Sequence, residues 1–275
     1  MANQSEFTAR YGPWALIAGA SVGLGAAFAA ELAQQGVNLV LLARRPAPLE
    51  TTAAALSAKY GISVKTISID LAAPDAIDKI AAATREVEIG LLVYDTAYML
   101  IGPFLEHSID KQLRTIDVNC RGPLMLTHHF GTQMSQRKRG GIILMTSLSG
   151  MQGAPWLASY GATKAFNIVL AEGLWYELKP LGVDVMACCA GAIETPNYIA
   201  SKPKGLGLFA PKPLTVQKVA HDAVGALGST PLLIPGGGYR FSQALLERFT
   251  SRKQRMKIMA HSAKKMYGNR LLTLN

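Results

Sequence analysis

Residues 14–36 constrain this chain more than any other stretch. Trp14-Ala-Leu-Ile-Ala18 has the length and apolarity of a buried strand. It passes directly into Gly19-Ala-Ser-Val-Gly23-Leu-Gly25 and then into an Ala-rich helical pattern that ends at Gly36. A glycine loop between a strand and a helix lets the backbone approach a ligand closely, and the helix N-terminus offers free N–H groups and the positive end of its dipole. Gly19, Gly23 and Gly25, with Ser21, Val22 and Leu24 between them, are therefore a candidate phosphate cradle.

The pattern then repeats in kind. Val37 to Ala43 is a continuous apolar run, as expected of a strand in a parallel sheet covered on both faces. Helical patterns over Leu49 to Tyr60 and Asp75 to Glu86 alternate with strands at Ser63–Ile69 and Leu91–Tyr94. A long helical stretch from Asp110 to Arg137 precedes strand Gly141–Thr146. A helix starting at Pro155 and ending near Lys179-Pro180 leads to strand Val183–Cys189. Strands and helices alternating at this spacing predict an α/β, Rossmann-type, doubly wound parallel sheet with helices on both faces. Ligands of such sheets bind outside the carboxyl ends of the strands. Arg44 and Arg45, Asp70 and Leu71, Asp95 and Thr96, Ser147, and Gly191 with Ile193 and Thr195 all follow predicted strands at that edge. The residues from 10 to 240 are expected to form the single domain, and residues 241–275 a C-terminal helical extension packed on or near it.

The end of the second strand bears on the cofactor. An acid there receives ribose hydroxyls, whereas an arginine suits a 2′-phosphate. Arg44-Arg45 carries no acid, which favours NADPH/NADP+ over NADH/NAD+. Asp70 is placed to accept from an adenine amino group.

Tyr160-Gly-Ala-Thr-Lys164 sets a tyrosine and a lysine one helical turn apart on a shared face. An ammonium there would lower the phenol pKa from its usual value near 10 and make Tyr160 a general acid–base.

Together these features resemble the short-chain dehydrogenase/reductase family over roughly residues 10 to 235. The resemblance rests on the glycine loop, Asp70, Asn119, Ser147, the Tyr160/Lys164 pair and Gly191-x-x-x-Thr195, with Ser147 thirteen residues before Tyr160. It implies a CH–OH oxidoreductase in which Tyr160 is the catalytic acid/base and Ser147 hydrogen-bonds the substrate oxygen. Lys164 would lower the tyrosine pKa and hold the nicotinamide ribose, and Asn119 would anchor a water in a proton relay behind Lys164. It also implies a homodimer or homotetramer formed through the helices that carry Asn119 and Tyr160. Three positions depart from the family pattern: Ala18, Ala190, and Tyr94-Asp95-Thr96-Ala97 in place of Asn-Asn-Ala-Gly. An ionised Asp95 can accept hydrogen bonds but not donate them, so it is expected to find backbone N–H donors or a buried water.

Ser149, Met151, Ala154 and Trp156 after the catalytic serine, and Ala192 beyond the sixth strand, are expected to line the substrate pocket. So is the Gly- and Pro-rich loop from 196 to 213, with Tyr198, Ile199, Leu206, Leu208 and Phe209. A loop this long in a compact domain is a candidate lid, and its apolar content points to a hydrophobic ketone or alcohol.

Charge is uneven. The net charge is +10, yet eight Lys and Arg residues lie from Arg248 onward with no acid among them. The remainder is nearly neutral, which argues against nucleic acid as a partner. The tail from Arg240 to Tyr267 spaces Phe249, Met256, Met259, Ala263 and Met266 as one amphipathic helix, suited to covering the pocket, contacting a second subunit or, less favoured, meeting an anionic membrane. Met1 to Arg10 lacks the apolar stretch of a signal peptide, and the three cysteines show no metal-ligand spacing. Both point to a cytoplasmic protein without a resident metal. The competing reading is a catalytically silent NADP(H)-binding sensor; a peripheral membrane reductase held by its basic tail is a third.

Overall fold

The computed structural model describes residues 2–200 and 211–271. Helix α1 (Ala2–Tyr11) leads into β1 (Trp14–Ala18), α2 (Gly23–Gln34), β2 (Asn38–Ala43), α3 (Pro46–Tyr60), β3 (Val64–Ser68), α4 (Ala76–Thr84) and β4 (Ile89–Tyr94). Then follow α5 (Ile109–Ile116), α6 (Gly122–Arg137), β5 (Gly140–Ser147), α7 (Ala158–Leu178), β6 (Val183–Ala190), α8 (Pro196–Ala200), α9 (Val216–Ala226), β7 (Leu232–Leu233), α10 (Gly237–Phe249) and α11 (Arg252–Leu271).

The strands form one seven-stranded sheet in the order β3-β2-β1-β4-β5-β6-β7, with every pairing parallel. The order reverses between β1 and β4, which opens a crevice at their carboxyl ends. The two sheet faces bury separate cores. One holds Ile17, Phe28, Leu39, Leu41 and Val93 beneath α2, α3 and α9. The other holds Leu16, Val40, Leu92, Phe130 and Leu144 beneath α4, α6 and α7. Side chains of a strand alternate between faces, so a strand buried on both must be apolar, as β1 and β4 are, and β2 beyond Asn38. β6 is apolar but for the buried Asp184, which pairs with Arg10 and accepts from the Tyr11 hydroxyl.

Three boundaries differ from expectation. Helix α7 begins at Ala158 rather than Pro155, because Trp156 has φ +60° and breaks the approach. The Asp110–Arg137 stretch is helical throughout but contains a π-helical turn at Asp117–Arg121, which holds Asn119. The tail is two helices and not one. It breaks after Phe249, where Thr250 is extended and the Arg255 guanidinium spans the break to the carbonyls of Glu247 and Thr250. The expected loop after Thr195 opens with α8, and Leu206, Leu208 and Phe209 lie outside the described residues. Among the described residues, no helix is long and apolar enough to cross a membrane.

The glycine loop is fixed by contact. Gly19 has φ +98°, and a Cβ on Gly25 would lie 2.2 Å from the Gly19 carbonyl oxygen. Gly25→Ala must therefore push α2 away from the end of β1. We expect it to cost at least about 1–3 kcal/mol, the usual penalty for overpacking, read as a lowered Tm together with weakened nicotinamide-nucleotide binding by calorimetry.

Candidate functional site

The crevice above β1 and β4 is lined by Gly19, Ser21, Ala43, Arg44, Arg45, Asp70, Leu71, Thr96, Ala97, Tyr98 and Arg114, among others. Residues from five separate segments thus meet at one edge. Gly23 faces the next segment, with Pro196 Cδ 3.5 Å and Thr195 3.9 Å from where its Cβ would be. Thr195 shapes that segment through its own N–H to Ile193 O (2.7 Å) and by accepting from Tyr198 N–H (3.2 Å). Leu24 and Leu71 point into the two cores, so only their backbones can face a ligand. Val22, by contrast, is exposed beside the loop.

Asp70 is more occupied than its sequence position suggested. One carboxylate oxygen accepts from Ala72 N–H (3.0 Å), and the other is paired at 2.6 Å with Arg114 on α5. Partial burial pushes the Asp70 carboxyl up. The hydrogen bonds from Arg114 and Ala72, with the charges of Arg114 and Arg44, outweigh it and hold the group below its usual value. The Arg114 guanidinium also lies 5.6 Å from the centre of the Tyr98 ring. Arg114 lies 44 residues from its partner, and no local pattern marked it.

The crevice suits a nicotinamide dinucleotide on structural grounds. It has a backbone cradle that a Cβ would fill, a helix N-terminus behind it, and two arginines at the end of β2. The Thr96 hydroxyl is buried and has no hydrogen-bond partner among the described residues, and it faces Gly19. A buried hydroxyl left unpaired is costly, and a bound polar ligand would relieve it.

The acid–base residues lie at the next strand end. Ser147 closes β5, its oxygen 2.7 Å from that of Ser149, and it hydrogen-bonds the Tyr160 hydroxyl. The Lys164 side chain is buried, donates to Met145 O at 2.8 Å, and lies 5.6 Å from the centre of the Tyr160 ring. Tyr160 does not show the lowered pKa expected from its lysine. Burial pushes its pKa above 10, as do Tyr267 of α11, Asp95 and Cys189, and the Ser147 hydrogen bond opposes them. The phenol is therefore held as a proton donor. Lys164 is itself pushed below its usual value by burial, against the pull of Asp95.

Asp95 answers the expectation set for it. Its carboxylate accepts from Gly25 N–H at the start of α2, while burial holds its pKa up and the Lys164 charge draws it down. Asn119 is committed differently from the water-anchoring role the resemblance implied. Its amide oxygen accepts from Tyr98 N–H (2.7 Å), and its amide nitrogen donates to Tyr98 O (2.9 Å) and to Thr163 Oγ1 (3.0 Å). The side chain thus pins the loop after β4 to α7. Its backbone carbonyl accepts from Asn167 at 2.8 Å.

The expected substrate residues are less uniform. Ser149 is buried against Ser147, and Met151 packs onto the core beneath α4, α6 and α7. Trp156 accepts Gly102 N–H, and Ala192 accepts Leu214 N–H, so both fix loops around the site. Helix α11 closes this side, with Met256 3.5 Å from where a Gly153 Cβ would lie. Tyr267, which acts electrostatically on Tyr160, carried no sequence signal.

Comparison with known proteins agrees with this geometry. The family model for short chain dehydrogenase matches residues 13–204. The chain belongs to that family. It is similar to a 7β-hydroxysteroid dehydrogenase of Clostridium sardiniense, at 34% identity over 198 residues, covering 72% of this chain and 76% of that one. A solved 7β-hydroxysteroid dehydrogenase structure superposes with a TM-score of 0.87 at 27% identity, over 92% of this chain and 98% of the other. A short-chain dehydrogenase of Sphingobium yanoikuyae in complex with NADPH superposes at 0.73, with 27% identity over 89% and 95% of the two chains. This short-chain dehydrogenase is thus an oxidoreductase that interconverts an alcohol and a carbonyl with a nicotinamide cofactor.

The Asp95 charge favours the protonated form of Lys164, so its removal has a definite sign. Asp95→Asn should move the Lys164 titration to lower pH. The limb of the kcat/KM profile that reports this lysine should shift the same way, and an unchanged Tm would confirm an intact fold.

Proposed function

We propose that this chain is an NADP(H)-dependent reductase of bulky hydrophobic ketones, with Tyr160 as general acid and the hydroxysteroid class as the favoured substrate. The observation that carries the reading is the half-buried Tyr160 phenol, hydrogen-bonded to Ser147 and with the buried Lys164 ammonium 5.6 Å from its ring centre. A cofactor bound along Gly19–Gly25 supplies the hydride. Ser147 orients the carbonyl oxygen and stabilises charge developing there, and Tyr160 gives that oxygen a proton. The positive Lys164 favours the phenolate left behind, and it is positioned to hold the nicotinamide ribose. Asn119 acts through Tyr98 and Thr163, fixing the loop that faces the cofactor.

NADP(H) preference rests on Arg44 and Arg45, which line the crevice where β2 ends. The NADPH complex of a similar enzyme supports it. Substrate size is supported by the likeness to 7β-hydroxysteroid dehydrogenases and by the apolar residues of the loop after Thr195.

A panel of steroid and bulky aryl ketones with NADPH or NADH tests the reading. Turnover should be faster with NADPH. Tyr160→Phe should lose about a hundredfold or more in kcat, the usual scale for general acid catalysis, with NADPH affinity retained. Arg44→Ala/Arg45→Ala should weaken NADPH and spare NADH. Tight NADPH binding without turnover across the panel would instead mark a sensor.

The active form is proposed to be a homodimer. Ile109, Leu113 and Ile116 on α5, and Phe166, Val169 and Tyr176 on α7, leave an exposed apolar face on two adjoining helices. Val169→Glu should convert the dimer to monomer in sedimentation velocity.

A further inference from the structure

A second exposed apolar face lies on α10. Phe241, Leu245 and Phe249 follow one another at steps of four residues, which puts them on one stripe of the helix. They are 70%, 48% and 73% exposed, while the opposite side of α10 buries Tyr239 and Gln243. Arg248 falls on the same stripe at a step of seven from Phe241. Glu247, the acid of this helix, lies on a different flank and accepts a hydrogen bond from Gln243. Helix α11 continues the pattern. Lys253, Lys257 and Lys264 share a face of it and are all exposed, and the sequence carries no acid after Glu247.

We propose that α10 and α11 form a docking surface for an anionic lipid bilayer, with Phe241, Leu245 and Phe249 seated in the interface and the surrounding arginines and lysines on the headgroups. Aromatic and aliphatic side chains on one stripe, rimmed by cations, are what an interfacial helix presents. Charge separates this occupant from a second copy of the chain. An isologous contact sets a patch against itself, and here it would bring cations against cations at a cost. The α5–α7 face has mixed charge, with Asp110, Lys111 and Glu172 nearby, and carries no such penalty. Nucleic acid would satisfy the cations but would leave two phenylalanines and a leucine in water. The surface also borders the substrate side of the site, since Met256 of α11 lies against Gly153 and Tyr267 acts electrostatically on Tyr160. A bulky apolar substrate dissolved in the bilayer would thus be delivered beside the pocket.

The test uses the full-length chain and does not depend on turnover. Vesicles of phosphatidylcholine alone, and of phosphatidylcholine with phosphatidylglycerol at 7:3, are co-sedimented with the protein at low and high salt. The protein should pellet with the anionic vesicles at low salt, and binding should fall as salt rises. Phe241→Ser/Leu245→Ser/Phe249→Ser should abolish pelleting. Lys253→Gln and Lys257→Gln should each weaken it by about fivefold, as expected for one juxtamembrane cation. NADPH binding retained in every variant shows that the fold is intact. Failure to pellet with anionic vesicles overturns the proposal, as does pelleting that the serine variant leaves unchanged. It is overturned equally if wild type ignores vesicles while the serine substitutions change the oligomeric state, or if wild type ignores vesicles and binds a random DNA duplex instead.

Discussion

A buried ammonium needs a partner, and the carbonyl of Met145 supplies it for Lys164 at 2.8 Å. Taking an unpaired charge out of water costs several kcal/mol or more, so this bond fixes where α7 can lie over β5. The rest of the acid–base group follows from that register. Tyr160 stands one turn before Lys164 on the same helix face, and Ser147 stands two residues beyond Met145 at the strand end. The tyrosine hydroxyl and the serine hydroxyl meet because a lysine and a backbone carbonyl have already met.

Asp95 joins this group to the nucleotide crevice. Its carboxylate is held by the first turn of α2 and feels the charge of Lys164, so the glycine loop and the acid–base helix share one electrostatic neighbour. Asn119 makes a second tie, from the π-helical turn to Tyr98 and Thr163. A π turn frees backbone groups from regular pairing, and here the Asn119 carbonyl accepts a hydrogen bond from the Asn167 side-chain amide. The loop after β4 is therefore gripped from both sides of the crevice.

Much of this was legible because it is local or periodic. Continuous apolar runs such as residues 39–43 can be satisfied only by burial on both faces, which dictates a parallel sheet between helix layers. The glycine loop declares itself through its neighbours. What escaped reading depends on distant partners. Arg114 gains meaning only when Asp70 is beside it, and Tyr267 only when α11 folds back to Tyr160. The tail spacing suggested one helix, since Thr250 and Ser251 are no strong breakers; the Arg255 bonds that cap the bend are invisible to periodicity. The net shift of Tyr160 runs upward although the lysine's charge favours the phenolate, because spacing reports proximity and not desolvation, which dominates here.

The position of Tyr267 has a consequence for the order in which the molecule is made. Chains emerge from the ribosome amino end first and begin folding before they are complete. The last strand ends at Leu233, so the sheet and its nucleotide edge are in hand while α11 is still being synthesised. Tyr160 then waits for a residue that follows it by more than a hundred positions before its surroundings are finished. A nascent or clipped chain would thus be able to grip a dinucleotide before the electrostatic surroundings of its acid residue were complete.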